Sequence, residues 1–265
     1  MGVSRDTLDY GGRDAWVTRT LYENRQCPVL TFQGRVWFTS DTHYWHDNII
    51  KPEYCDRPYF SVEQMNADMI GKWNARVAPD DVVFHLGDFS FGGTAKMQAI
   101  VPQLQGHKVL IRGNHDHKVS DAIFTAAGFE RVERQAIYEV TKDNKVTDER
   151  YYLAHVPQAR SEWPRVAAGC NRQLCGHVHE KWKQATLVRN PDPEAKWPWY
   201  QKVTVPSERF PWPTGPMAPM VRPGECVNMG VDVRNFEPVL LEEALDGDVL
   251  PRPRSSKESG VPILR

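Results

Sequence analysis

Five short blocks of the sequence carry residue types that bind cations: Ser40-Asp41-Thr42-His43, Gly87-Asp88, Gly113-Asn114-His115-Asp116, His155 and Gly176-His177-Val178-His179. A pair of divalent ions needs one carboxylate able to bridge them, with imidazole, amide and carboxylate donors around each, and these blocks supply that mixture. Asp41 and His43 stand two positions apart, as do His177 and His179, so on an extended segment both members of a pair point the same way. Glycines at 87, 113 and 176 lie beside them, where a backbone without Cβ can turn sharply and come close to an ion. A structural zinc site fits poorly. Such sites are four-coordinate and usually built from cysteine, whereas Asp41, His43, Asp88, Asn114, His155, His177 and His179 include none.

The elements that must position these groups are short apolar runs that stop abruptly at each block. They are Val36 to Thr39, Val82 to Leu86, Val109 to Ile111, Tyr151 to Ala154 and Gln173 to Cys175, with a sixth, Cys226-Val227, leading into Asn228-Met229-Gly230-Val231-Asp232. Near-continuous apolar runs of this length predict strands covered on both faces, in an α/β fold that keeps its site outside the strand ends. Helical patterns fall between them. Ser61 with Gln64 reads as a capping box ahead of Val62, Met65, Met69, Ile70 and Trp73, which predicts an amphipathic helix over 61–76. Thr94 opens a second helix made irregular by Pro102, and a third is expected from Ser120 to a stop at Gly128.

The expected organisation is a polar lead-in over 1–34 covering the core edge, one domain over 35–245, and a loosely ordered tail over 246–265. Within the domain, 189–224 is dense in proline and carries Trp197, Trp199, Tyr200 and Trp212, which predicts an insertion or lid. Those rings, with Lys196, Lys202 and Arg209 among them, either pack the insertion onto the core or stack bases.

The 265 residues carry 33 basic and 34 acidic side chains for a net charge of −1, spread without blocks, so no footprint for duplex nucleic acid is visible. A small or short anionic substrate fits better. The five cysteines, Cys27, Cys55, Cys170, Cys175 and Cys226, are irregularly spaced without a CxxC pair, which suits reduced thiols. No run is long and apolar enough to span a bilayer, no secretory signal pattern opens the chain, and the expected location is the cytoplasm.

Taken together and in order, the blocks resemble the signature of the calcineurin-like metallophosphoesterase superfamily. Trp37 through His46, Asn48, Ile49 and Ile50, with Asn228 to Asp232 and Pro238-Val239, resemble an uncharacterised bacterial and phage subgroup, and the cytoplasm would be that of the host if the chain is phage-encoded. The resemblance implies a four-layer α/β/β/α sandwich of two mixed β-sheets flanked by helices, with a dinuclear metal site at strand-end loops. Asp41, His43 and His179 would bind one ion, Asn114, His155 and His177 the other, and Asp88 would bridge them. The implied cofactors are two Mn²⁺ ions, with Fe, Zn, Ni or Co as alternatives, sharing a hydroxide that attacks phosphorus in line. His115 would protonate the leaving oxygen, oriented by Asp116 or by a backbone carbonyl.

The protein Ser/Thr phosphatases of that superfamily place a further Asp and an Arg after their Gly-Asp block, whereas this chain continues Gly87-Asp88-Phe89-Ser90-Phe91-Gly92-Gly93. That departure favours a phosphodiester of a nucleotide or single-stranded nucleic acid over a phosphoprotein. A phosphomonoesterase on small phosphates is the alternative, and a non-catalytic scaffold is disfavoured because every ligand type is kept. No membrane or obligate protein partner is expected. His46, Asn48 and Arg112 are candidate substrate contacts, each weighed against an ordinary loop or ion-paired role, and His85, inside an apolar run, reads as a core histidine.

Overall fold

A computed structural model of the chain describes residues 17–21, 27–143, 145–181, 183–189, 200–203 and 225–245. Two mixed β-sheets face each other. The first has the order β13-β3-β4-β5-β6, with β3 (Val36–Thr39), β4 (Val82–His85), β5 (His107–Ile111) and β6 (Arg131–Glu133) parallel and β13 (Val239–Leu240) antiparallel at the edge. The second runs β1-β2-β7-β8-β9-β12-β10-β11, from β1 (Val17–Leu21) and β2 (Val29–Phe32) through β7 (Ala136–Lys142), β8 (Lys145–Leu153), β9 (Arg172–Cys175) and β12 (Cys226–Asn228) to β10 (Gln184–Arg189) and β11 (Tyr200–Val203).

The period-2 alternation of strands decides which side chains meet. Val36, Phe38, Val82, Phe84, Val109 and Ile111 of the first sheet pack against Leu30, Phe32, Tyr138, Val140, Tyr151, Leu153 and Leu174 of the second. Phe32, Phe38, Phe84 and Tyr138 interlock there at ring separations of 5.3 to 6.4 Å. On the other face of the first sheet, Trp37, Val83 and Leu110 meet helices α1 (Val62–Arg76), α2 (Gly93–Ile100) and α3 (Asp121–Ala127) through Met65, Met69, Trp73, Met97, Ile100 and Phe124. A short helix α4 (Leu241–Leu245) follows β13. The Ser61 side chain accepts from the Gln64 N–H, while the Gln64 side chain accepts from Phe60 N–H, so the capping box closes one residue earlier than its usual form.

Two expectations are corrected. The lead-in over 1–34 contains β2, whose Leu30 and Phe32 are fully buried in the core between the sheets. It went unread because Pro28 interrupts the run and no polar block follows it. The fourth layer is the other correction. Among the described residues, the outer face of the second sheet is covered not by α-helix but by single 3-10 turns at Arg160–Glu162 and Arg165–Ala167, which bring Trp163, Ala167 and Cys170 onto Val29, Ile137 and Tyr152. Of the 189–224 segment, β11 pairs antiparallel with β10, which ends at Arg189 and joins the second sheet through β12. Trp197, Trp199 and Trp212, and the tail over 246–265, lie outside the described residues. No disulfide joins the cysteines, and all but Cys55 are buried.

Candidate metal centre

Because β3, β4 and β5 run parallel in one sheet and β8, β9 and β12 run parallel in the other, their carboxyl ends collect six loops at one end of the sandwich. Asp41 N–H donates to the Gly87 carbonyl at 2.9 Å and His43 N–H to the Asp88 carbonyl at 3.1 Å, lacing the first loop to the second. The Asp116 carboxylate accepts from the N–H groups of Gly113, Asp88 and Phe89 at 2.7, 2.8 and 3.1 Å. It staples the second loop to the third.

Close approach explains two of the glycines. A Cβ on Gly113 would sit 2.1 Å from the Asp88 carboxylate, and one on Gly176 would sit 2.3 Å from that of Asp41. Asp41, His43, Asp88, His177 and His179 all adopt positive φ, between 47° and 71°. That left-handed conformation costs a residue with a side chain on the order of 1 kcal/mol, and such strain collects at functional sites.

Seven sequence-predicted ligands converge in two groups. Asp41, His43 and His179 offer ligand atoms within 4.8 Å of one another, and so do Asp88, His155 and His177. Asn114 joins the second group, its Oδ1 lying 3.0 Å from His155 Nε2 and 2.8 Å from His177 Nδ1. Asp88 stands between the groups, with Oδ2 3.2 Å from His155 Nε2 and 3.7 Å from His43 Nε2. His115 sits at the mouth, half exposed, its Nε2 4.0 Å from Asp88 Oδ2.

The residues fit divalent ions. His43 is only 2% exposed, yet neither of its ring nitrogens has a hydrogen-bond partner, a costly arrangement that a cation at Nε2 would relieve. Burial pushes its imidazole down to about 4, helped by Arg57 and outweighing Asp41, so it stays neutral as a ligand must. For Asp41, burial favours the neutral acid, but His43, His155 and His179 together hold its carboxyl well below the usual carboxylate range.

Two supporting residues were missed. Asp232 Oδ2 lies 2.9 Å from His179 Nδ1, leaving Nε2 facing Asp41 Oδ1 at 4.0 Å. The buried Arg57 holds both Asp232 oxygens at 2.8 and 3.0 Å and donates to the carbonyls of Thr42 and Asp41 at 2.8 and 2.6 Å. Asp232 was visible in the run after Cys226, but its partner is a lone arginine between prolines 52 and 58, and nothing local marks it. Burial alone would raise Asp232, yet Arg57 and His179 bring it down to about 2. For His179, burial opposes the charged form, but the hydrogen bonds to Asp232 and Cys55 push it up to about 11.

The remaining candidates separate. His46 stacks on Phe91 at 4.0 Å beside the first group. Asn48 lies in the following 3-10 turn, Asp47–Ile50, where its carbonyl accepts from Lys51 N–H. Arg112 pairs with Asp121 at 3.2 Å and donates to the Val119 carbonyl. His85 is fully buried between the Gly87 N–H and the Thr42 hydroxyl, and burial drives it down to about 3, as suits a neutral core histidine.

An uncharacterized protein of Methanocaldococcus jannaschii is 44% identical over 84 residues, 31% of this chain and 47% of that protein. Gene 66 proteins of Mycobacterium phages D29 and L5 are 39% and 36% identical over 86 residues, 31% of this chain and 41% and 40% of theirs. The chain matches less than half the length of these relatives. A solved protein of unknown function from Aquifex aeolicus is 22% identical, with a TM-score of 0.48 over 79% of this chain and 96% of that one. No helix among the described residues is long and apolar enough to cross a membrane. A family model for calcineurin-like phosphoesterases matches residues 34–228, spanning every ligand block and β12, and the chain belongs to that family.

Proposed function

We propose that this chain is a dinuclear metal-dependent phosphoesterase that hydrolyses a nucleotide or nucleic-acid phosphodiester. The observation that carries the reading is Asp88, whose one carboxylate oxygen is shared between the His43 side and the His155 side of the cluster. Two bound divalent ions, Mn²⁺ by preference, would activate a water and neutralise charge on the phosphate oxygens. Asp41, His43 and His179 would hold one, and Asn114, His155 and His177 the other.

The chain's own groups supply the rest. His155 is oriented by its Nδ1, which lies 2.8 Å from the Leu86 carbonyl, so that Nε2 faces Asp88. His115 is placed to give its proton to the departing oxygen, because its backbone N–H is fixed on Asp88 Oδ1 at 2.9 Å while its ring stays accessible. A diester is favoured over a phosphoprotein because Asp116, the acidic neighbour of His115, is committed to three backbone N–H groups.

The test is hydrolysis of bis-p-nitrophenyl phosphate against p-nitrophenyl phosphate, with Mn²⁺ and then with chelator. Metal-dependent turnover that prefers the diester is expected. Preference for the monoester moves the assignment to a phosphomonoesterase, and no turnover of either under any metal overturns the enzymatic reading.

A further inference from the structure

Beside the metal centre runs a shelf of rings that packing alone does not account for. Phe91 touches three imidazoles, those of His46 at 4.0 Å, His115 at 4.7 Å and His43 at 4.8 Å, yet remains 37% exposed. Tyr54, 56% exposed, meets the same His46 ring edge-on at 6.3 Å. Three of the four large hydrophobic residues that are exposed among the described ones are aromatic, and two of those three flank the same histidine at the mouth of the site. A contiguous exposed apolar patch on an otherwise ordinary surface marks a binding site more often than a lone exposed ring does.

The shelf is also held rigidly. Phe91 N–H donates to the Tyr44 carbonyl at 2.8 Å, and the Ser90 hydroxyl reaches the same carbonyl at 3.1 Å, fixing this loop to the segment that carries His43 and His46. Tyr54 N–H and Asp56 N–H both donate to the Lys51 carbonyl, and Arg57 anchors the end of that turn to Asp41, Thr42 and Asp232. Ordering costs that a binding partner would otherwise impose are therefore met in the free protein.

We propose that Tyr54, His46 and Phe91 form a stacking subsite for a nucleobase joined through its sugar to the phosphate at the metal centre. The assignment rests on the phosphoesterase reading and narrows its substrate to nucleoside phosphates. A ring laid on Phe91 lies next to His115, so the sugar between base and phosphate crosses from the shelf to the reacting bond. Aromatic faces hold bases of any sequence, which makes the subsite selective for a base over no base, and not for one base over another.

The experiment compares the affinities of nonhydrolysable methylene phosphonate analogues of adenosine 5′-monophosphate and ribose 5-phosphate for the Mn²⁺-loaded full chain, by calorimetry. A base–aromatic stack predicts roughly ten- to hundredfold tighter binding of the adenosine analogue. Phe91→Ala should bring that ratio close to one, Tyr54→Ala should reduce it, and Phe91→Trp should restore it. Native protein that binds both analogues equally, or a preference that survives in the Phe91→Ala/Tyr54→Ala double variant, overturns the subsite. Tyr54 is exposed, so its variant keeps the test decisive if Phe91→Ala fails to fold. The readout needs no turnover: loss of all hydrolysis with an intact ratio would strike the phosphoesterase reading and leave the subsite standing.

Discussion

The two halves of the candidate ligand cluster are built from nearly the same donors but supported in different ways. His155, in the half near Asn114, rests on a backbone carbonyl, that of Leu86, a few residues from Asp88 itself. His179, in the half near Asp41, rests on a carboxylate that is held by a buried arginine, and Arg57 lies 175 positions from Asp232 in sequence. One half is thus braced by a backbone carbonyl at the end of β4 in the facing sheet, and the other by a charged pair between distant segments that also grips the Asp41 and Thr42 carbonyls. Support from a backbone carbonyl survives most single substitutions, whereas support that depends on one buried ion pair can be removed selectively.

Removing what the halves share should have the largest effect. Asp88→Asn is expected to lower turnover by more than about a hundredfold and to deplete both ions, since even residues that only brace a ligand cost ten- to hundredfold. Activity and bound metal, measured on the same sample, check this. Next comes His115→Ala, which belongs to neither half: metal content should be unchanged while kcat on alkyl leaving groups falls by about a hundredfold or more, and far less on p-nitrophenyl esters, which need no proton. Unchanged kcat on alkyl esters would remove His115 from the acid role.

Asp232→Asn separates the halves. It should weaken the ion held by Asp41, His43 and His179 about ten- to a hundredfold and leave its neighbour in place, so that metal titration shows one tight and one weak site. Equal weakening of both sites would mean that the two halves are one unit. Arg57→Met leaves the buried Asp232 carboxylate with His179 as its remaining charged partner, and the expected loss of stability, below the about 3 to 5 kcal/mol of a fully stranded charge, is readable in urea unfolding of the metal-free protein.

The gentlest probe is pH. Burial opposes the charged form of His155, but Asp88 and Asp41 push it up to about 9, and His179 reaches about 11. Both lie above the ordinary imidazole value, so in the metal-free protein their charged forms stabilise the fold fully below about pH 6.5. That contribution is lost as pH rises through about 9 and then about 11. Ions require the neutral rings, so binding near pH 7 must release protons and tighten as pH rises. Tm should therefore fall between pH 7 and 10 without metal and be held up with it.

Much of this was legible in the sequence, and the reason is local. β3 and β4 are buried on both faces and read as apolar runs, β5 and β9 end in the shorter ones Val109 to Ile111 and Leu174-Cys175, and α1 announces itself through Ser61 and Gln64. β7 escaped notice because it alternates, with Glu139 on its outer side bonded to Thr31 and Arg150, and because no ligand block follows it. The ligand blocks were visible because their donors cluster within a few residues of a glycine. Arg57 and the stapling role of Asp116 were not, since each is defined by contacts between loops and not by its neighbours in the chain.

The central claim is that one carboxylate, Asp88, joins two cation sites at the strand ends. Anomalous scattering from crystals of the Mn²⁺-loaded protein tests it most directly. The account predicts two peaks per chain, about 3.5 to 4 Å apart, both in contact with Asp88. A single peak, or a pair that Asp88 does not touch, would contradict it.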